Sequence, residues 1–262
     1  MGLALLGTND IFHQRHKTVS KTELERGTKR LTQGRHDATW LAERAISCAK
    51  QKELSPIQRR AFSYLTEQAD KLNSLSSSDR GMYDNLVIYA KFFNQFYFFG
   101  SLREDVRLEL HPQEATKAKR LGESTVIPDG RGVTIRIQIF TRVQEQPNPQ
   151  KRWKLYMGTL IHEMIHAYLL LYSCSYQDCS STWEKCGEYD HGVAFLDMAK
   201  VLQMDLKERD IVDIEPNLES SLARELVLSN RTPEREFVDL WGLDWRFLCW
   251  EYLRMKREGI PR

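Results

Sequence analysis

The sequence predicts an α+β fold in which helices at both ends enclose a small antiparallel sheet, with one long His-Glu-x-x-His helix lying against it. Three features lead to this. Apolar residues recur at helical spacing before residue 98 and again after residue 148, as in Trp40, Leu41, Ala45 and Cys48. Between those stretches the period drops to two: Val106, Leu108 and Leu110 in one run, Val133, Ile135, Ile137 and Ile139 in another. The third feature is "TLIHEMIHAYLLLY" at residues 159–172, an apolar helix carrying polar residues on one side.

Taken in order, residues 1–35 are basic and lack apolar periodicity, which predicts a flexible arm. A helical region is expected over residues 36–84. Its first helix starts at Asp37; its second opens on Ser55-Pro56 as N-cap and first helical residue, and carries Ala61, Leu65, Ala69 and Leu72. "SLSSSDRG" reads as a linker, and an aromatic-rich helix follows at about residues 80–98. "DVRLELH" is expected as a strand and "STVIPDGRGVTIRIQIF" as a hairpin turning at Pro128-Asp129-Gly130. Asn148 and Pro149 open a helix that runs to about Tyr172. Asp190 is expected to cap a further helix, "DHGVAFLDMAKVLQ", with Phe195, Met198, Ala199 and Leu202 turned inward. These parts make a core over residues 85–204. A helical extension over residues 205–262 holds Trp241, Trp245 and Trp250, which are expected to pack on the body.

With 41% hydrophobic and 28% charged residues, the composition is that of an ordinary soluble globular protein. No apolar stretch reaches the roughly 18 residues of a membrane span. The initial apolar run is too short for a secretory signal, and Leu6 breaks the myristoylation pattern. The expected setting is therefore intracellular, nucleus or cytoplasm, with no membrane partner. There the five cysteines, an odd number, point to thiol or metal roles before disulfides. The net charge of +2 conceals an asymmetry: residues 1–153 hold 25 Lys and Arg against 17 Asp and Glu, and residues 205–262 hold 10 against 13. A basic N-terminal half, which includes "KAKR" at 117–120, suits a polyanion such as DNA.

The chemistry centres on His162-Glu163-Met164-Ile165-His166. Residues four apart on a helix project side by side, so the two imidazoles can share one ion at Zn–N distances of about 2.0–2.1 Å. Glu163 falls on the same half of the helix but off the metal, where its carboxylate can serve as general base. Without a metal, two histidines and a glutamate on an apolar helix would each need a partner. A catalytic zinc takes three protein ligands. Leu169 and Tyr172 occupy the positions where a metzincin has glycine and histidine, which excludes that class. Glu184 or Glu188 would complete a glutamate-type site. His191, at an expected helix start and followed by a glycine that permits close backbone approach, would complete a three-histidine site and is favoured.

Cys174, Cys179 and Cys186 leave another arrangement open, a structural Cys3His site with His191. They could also hold a separate second ion with some other ligand, or be reduced thiols in an inserted loop. Of the remaining histidines, His13 and His16 are expected to be solvated, His36 to be a capping or surface residue, and His111 to be structural.

In the order of these parts the chain resembles the SprT-like zinc metalloprotease family. That family has an aromatic-rich helix, short strands, a His-Glu-x-x-His helix and a second helix opening on Gly-His-Gly. The corresponding stretches here are "FFNQFYFFGSL", "DVRLELH" with "STVIPDGRGVTIRIQIF", "TLIHEMIHAYL" and "DHGVAFLDMAKVL", within about residues 85–204. Asp190 stands at the first glycine of Gly-His-Gly, and "CSYQDCSSTWEKCG" adds about ten residues between the two metal helices. No paired-cysteine zinc ribbon follows the core. The resemblance implies a zincin-type fold, Zn2+ held by His162, His166 and His191, Glu163 as catalytic base, and substrates that are proteins bound or crosslinked to DNA. Two other functions stay open: a DNA- or chromatin-binding adaptor with a structural zinc, and a zinc peptidase without a nucleic-acid role. A general base at Glu163 has no use in the adaptor.

Overall fold

In the computed structural model, residues 16–72, 79–102, 106–112, 121–128, 133–141, 148–174 and 176–258 are described. The hairpin turn at 129–132, "KAKR" at 117–120 and His13 lie outside them. The N-terminal segment departs from the expected flexible arm from residue 16 onward. It forms α1 (Lys21–Arg26), whose capping box joins Ser20 and Glu23 and whose end turns at Gly27. Leu24 and Leu31 from this segment are buried. One leucine per turn on so short a helix is too little periodicity to be seen in the sequence.

The helices α2 (Ala38–Ala49) and α3 (Pro56–Glu67) start where expected, the first on the Asp37 carboxylate and the second on a Ser55–Gln58 capping box. Gln58 is fully buried, and its side-chain amide donates to the carbonyls of Cys48 and Phe96. It thereby ties α2 and α3 to α5 (Asp79–Tyr97), which follows the one-turn helix α4 (Ala69–Leu72). Phe92, Phe93, Phe96 and Tyr97 of α5 are entirely buried in edge-on and stacked contacts.

The sheet has three strands: β1 (Val106–Pro112), β2 (Gly122–Pro128) and β3 (Val133–Thr141). Their spatial order is β1-β3-β2. The β2–β3 pair is antiparallel, as the hairpin reading requires, with Ser124 opposite Ile137. The β1–β3 pair is parallel, with Leu108 opposite Ile137. The sheet is therefore mixed, with one parallel and one antiparallel pair, which corrects the expectation of a mostly antiparallel sheet. Side-chain alternation is the same for either strand direction, so it says nothing about which neighbour a strand takes.

Ile135, Ile137 and Ile139 of β3 are buried beneath α6 (Pro149–Tyr172), which packs on both β3 and β2. The Asn148 side chain accepts the Lys151 N–H and starts α6. The one-turn α7 (Gln177–Ser180) then leads to α8 (Val193–Glu208), which packs against α2 and α6. The chain ends with α9 (Leu218–Leu228), α10 (Arg235–Trp241) and α11 (Trp245–Glu258). Of the three C-terminal tryptophans only Trp241 is buried, Trp245 is half-buried, and Trp250 is 53% exposed. One hydrophobic core runs from Leu24 to Tyr252, and a boundary at residue 204/205 would cut α8. No helix among the described residues is long and apolar enough to cross a membrane.

Candidate metal centre

Helix α6 is buried along most of its length, so its polar side chains are held in fixed places by packing on every side. His162 and His166 project from one face, and His191 meets them from the loop before α8. The three Nε2 atoms form a near-equilateral triangle: 3.1 Å from His162 to His166, 3.2 Å from His166 to His191, and 3.3 Å from His191 to His162. Three nitrogens at about 2.0–2.1 Å from one ion, at tetrahedral angles, would lie roughly 3.3–3.4 Å apart. The triangle fits that size.

The outer nitrogens show which electrons face inward. His162 Nδ1 lies 3.2 Å from the Pro216 carbonyl oxygen, and His191 Nδ1 lies 3.1 Å from that of Tyr189. A carbonyl only accepts, so both Nδ1 atoms carry the proton and both Nε2 atoms present lone pairs. Two lone pairs at 3.3 Å repel unless a cation lies between them. Protonation does not supply that charge near neutrality, because burial pushes His162 down to about 4 and holds His166 and His191 well below the usual histidine range. A divalent metal fits the donor set. Phe195 closes the inner side, stacked on His166 at 4.5 Å and edge-on to the other two rings.

The position of His191 is not achieved by the expected cap. Asp190 has a left-handed backbone (φ 71°), and the N-cap of α8 is Gly192, which has no side chain to bond the helix start. The backbone here is held by Glu225 of α9. Its carboxylate accepts the N–H groups of Glu188 (2.7 Å), Tyr189 (3.0 Å) and His191 (3.2 Å). Burial pushes the Glu225 carboxyl up, and the three N–H bonds oppose that shift. Gly192 does permit close approach: a Cβ there would come within 2.6 Å of the Lys185 and Trp183 carbonyl oxygens. Glu225 escaped the sequence reading, although a glutamate three residues after Leu222 and one before Leu226, on the buried face of an amphipathic helix, was a signal.

Glu163 lies outside the histidine triangle and is buried. The Ser124 hydroxyl, on β2, is 2.7 Å from Glu163 Oε2 and 3.0 Å from the Glu163 carbonyl oxygen. It has one proton to give, and the shorter bond to the carboxylate is the stronger. A cleft of about 510 Å³ opens beside His166, lined among others by Gln33, Val133, Leu170 and Glu188. Glu184 and Glu188 are exposed and stand apart from the triangle. The Cys3His arrangement does not form either: His191 groups with the other histidines, while Cys174 and Cys179 group with His16. His16 is thus half-buried against Cys179, and His36 is fully buried, with Nδ1 donating to the Lys17 carbonyl and Nε2 accepting the Thr32 N–H. His111 is half-buried and pairs with Glu109. Compared with protein-family models, curated proteins and solved structures, the chain matches none.

Proposed function

We propose that the protein is a zinc-dependent metalloendopeptidase with a zincin-type, SprT-like core. The observation that carries this reading is the Nε2 triangle of His162, His166 and His191, with a buried carboxylate, Glu163, beside it and a cleft at its edge. Zinc, when bound, supplies Lewis-acid polarisation of a peptide carbonyl and acidifies a water. Everything else falls to the chain. His162 and His191 present lone pairs fixed by carbonyl acceptors behind them. Glu163 takes the proton of the attacking water and returns it to the leaving amine. Ser124 holds one oxygen of that carboxylate in place. The test is proteolysis of an unfolded protein by the zinc-loaded chain, with and without a chelator. Cleavage that the chelator stops supports the reading, and no cleavage of any protein substrate, with or without DNA, defeats it.

The excess of basic over acidic residues in 1–153 supports DNA-bound proteins as the substrate class. Deleting residues 1–35 is not a clean test, because it removes the buried Leu24 and Leu31. Arg26 and Arg30 are exposed at the end of α1 and just beyond it. Replacing both with glutamate is expected to weaken DNA binding and flatten its salt dependence with the zinc site intact. No DNA affinity at low salt would leave a peptidase acting on free proteins.

A further inference from the structure

The thiols after α6 were the part of the sequence with no settled role, and the fold gives two of them a partner in the N-terminal segment. His16 Nε2 lies 3.1 Å from Cys179 Sγ, and ligand atoms of His16, Cys174 and Cys179 all lie within 4.8 Å of one another. Backbone bonding places all three. Residues 34–36 run alongside 171–174, with the Gly34 N–H on the Leu171 carbonyl, the His36 N–H on the Tyr172 carbonyl and the Cys174 N–H on the His36 carbonyl. The Lys17 N–H bonds the Arg35 carbonyl, which fixes the residue next to His16. Cys179 sits in the single turn of α7, anchored by its own N–H on the Tyr176 carbonyl.

Lys185 and Asp37 border the cluster. The Lys185 ammonium donates to Cys179 Sγ at 3.4 Å and to Asp37 Oδ2 at 2.8 Å. The same Asp37 oxygen faces His16 Nδ1 at 3.9 Å, on the side of the ring away from the sulfur. At that distance the carboxylate is an electrostatic neighbour of the ring and not a hydrogen-bond partner. Cys186, the third cysteine of the loop, is turned elsewhere, with its sulfur against the Ser173 hydroxyl at 3.9 Å.

We propose that His16, Cys174 and Cys179 form a second metal site, a Cys2His site for Zn2+, that fastens the N-terminal segment to the loop following α6. Binding releases the two thiol protons to solvent and leaves two Zn–S bonds and one Zn–N bond. Three protein donors make this ion more exchangeable than one held by four. The site is independent of the catalytic reading, since it shares no ligand with the histidine triangle.

The experiment is cobalt(II) titration of the reduced, metal-stripped full chain, followed by absorption spectroscopy. A thiolate-to-cobalt charge-transfer band is expected, because the histidine triangle has no sulfur and cannot produce one. The band is expected to persist in His162→Ala and to disappear in Cys179→Ser, while His16→Gln weakens cobalt binding by about 10-fold or more. Zinc content is expected to fall from two ions per chain to one in Cys179→Ser. Absence of the band in the unsubstituted reduced protein overturns the site without touching the peptidase reading. A band that survives Cys179→Ser but is lost in Cys186→Ser overturns the ligand assignment. Because the decisive measurement uses the unsubstituted chain, it does not depend on any variant folding.

Discussion

The carboxylate of Glu225 accepts the backbone N–H of His191 at 3.2 Å, across a separation of 34 residues. With its bonds to Glu188 and Tyr189, Glu225 gives the loop before α8 the polar partners that a side-chain cap would otherwise supply. The third candidate ligand therefore depends on α9, a helix that lies beyond residues 85–204. Glu225→Gln replaces one accepting oxygen with a donor that faces N–H groups. Zinc affinity, measured by chelator competition, is expected to fall about 10–100-fold. Unchanged affinity would show that the loop holds its shape without α9.

Glu163→Gln is expected to keep zinc and fold and to lose peptidase activity by roughly 10²–10⁴-fold or more. Glutamine can still accept the Ser124 hydroxyl through its carbonyl oxygen but cannot take the proton of a water. Zinc content and cleavage of an unfolded protein, measured on the same preparation, separate the two effects. Similar turnover in the variant would remove Glu163 from the mechanism.

His191→Ala is expected to lower zinc occupancy as much as His162→Ala, because each supplies one corner of the same triangle. Glu184→Ala and Glu188→Ala are expected to leave it unchanged, since both side chains are exposed and outside the cluster. Metal analysis of the four variants decides between them. Full zinc in His191→Ala with loss in either glutamate variant would reinstate a glutamate ligand.

Gly158→Ala tests the support behind His162. A Cβ at residue 158 would run into the backbone carbonyl of Glu215, and the next carbonyl, that of Pro216, accepts the His162 Nδ1–H. Backbone cannot rotate aside as a side-chain tip can. The variant is expected to lose about 1–3 kcal/mol of stability and to bind zinc more weakly. Denaturant unfolding with and without zinc measures both; a silent substitution would mean that the 215–216 segment moves freely.

His36 gives a pH dependence that is independent of the histidine triangle. Burial holds its folded-state pKa below the ordinary 6.5, with the bond to the Lys17 carbonyl opposing the shift. In that window the unfolded chain binds a proton that the folded chain refuses, so stability rises with pH. The contribution is complete above about 6.5 and is lost as pH falls through the folded-state value. His36→Gln is expected to cost about 1–3 kcal/mol at neutral pH, because a buried partner is left unbonded. The gap to the unsubstituted protein is expected to narrow on acidification. Urea unfolding from about pH 7 to about pH 5 measures it, and a gap that widens on acidification contradicts the sign.

The sequence by itself determined several helix starts and the pair of histidines. Ser55-Pro56 and Asn148-Pro149 mark helix starts through local bonds and a fixed proline φ, and His162 and His166 share a face because of helical geometry alone. The glycine after His191 was also legible, since only a residue without a side chain tolerates the Lys185 and Trp183 carbonyls so near. Tertiary structure decided what depends on contacts distant in sequence. The parallel β1–β3 pairing is one case, because side-chain alternation is blind to strand direction. The partition of the ligands is another. Spacing along the chain could not divide three cysteines and seven histidines into groups, whereas the packing of residues 16–36 beside 171–174 brings His16 to Cys179 and leaves His191 for α6. Glu225 belongs to the same kind: a buried carboxylate shows its purpose only when the N–H groups it serves have been folded against it.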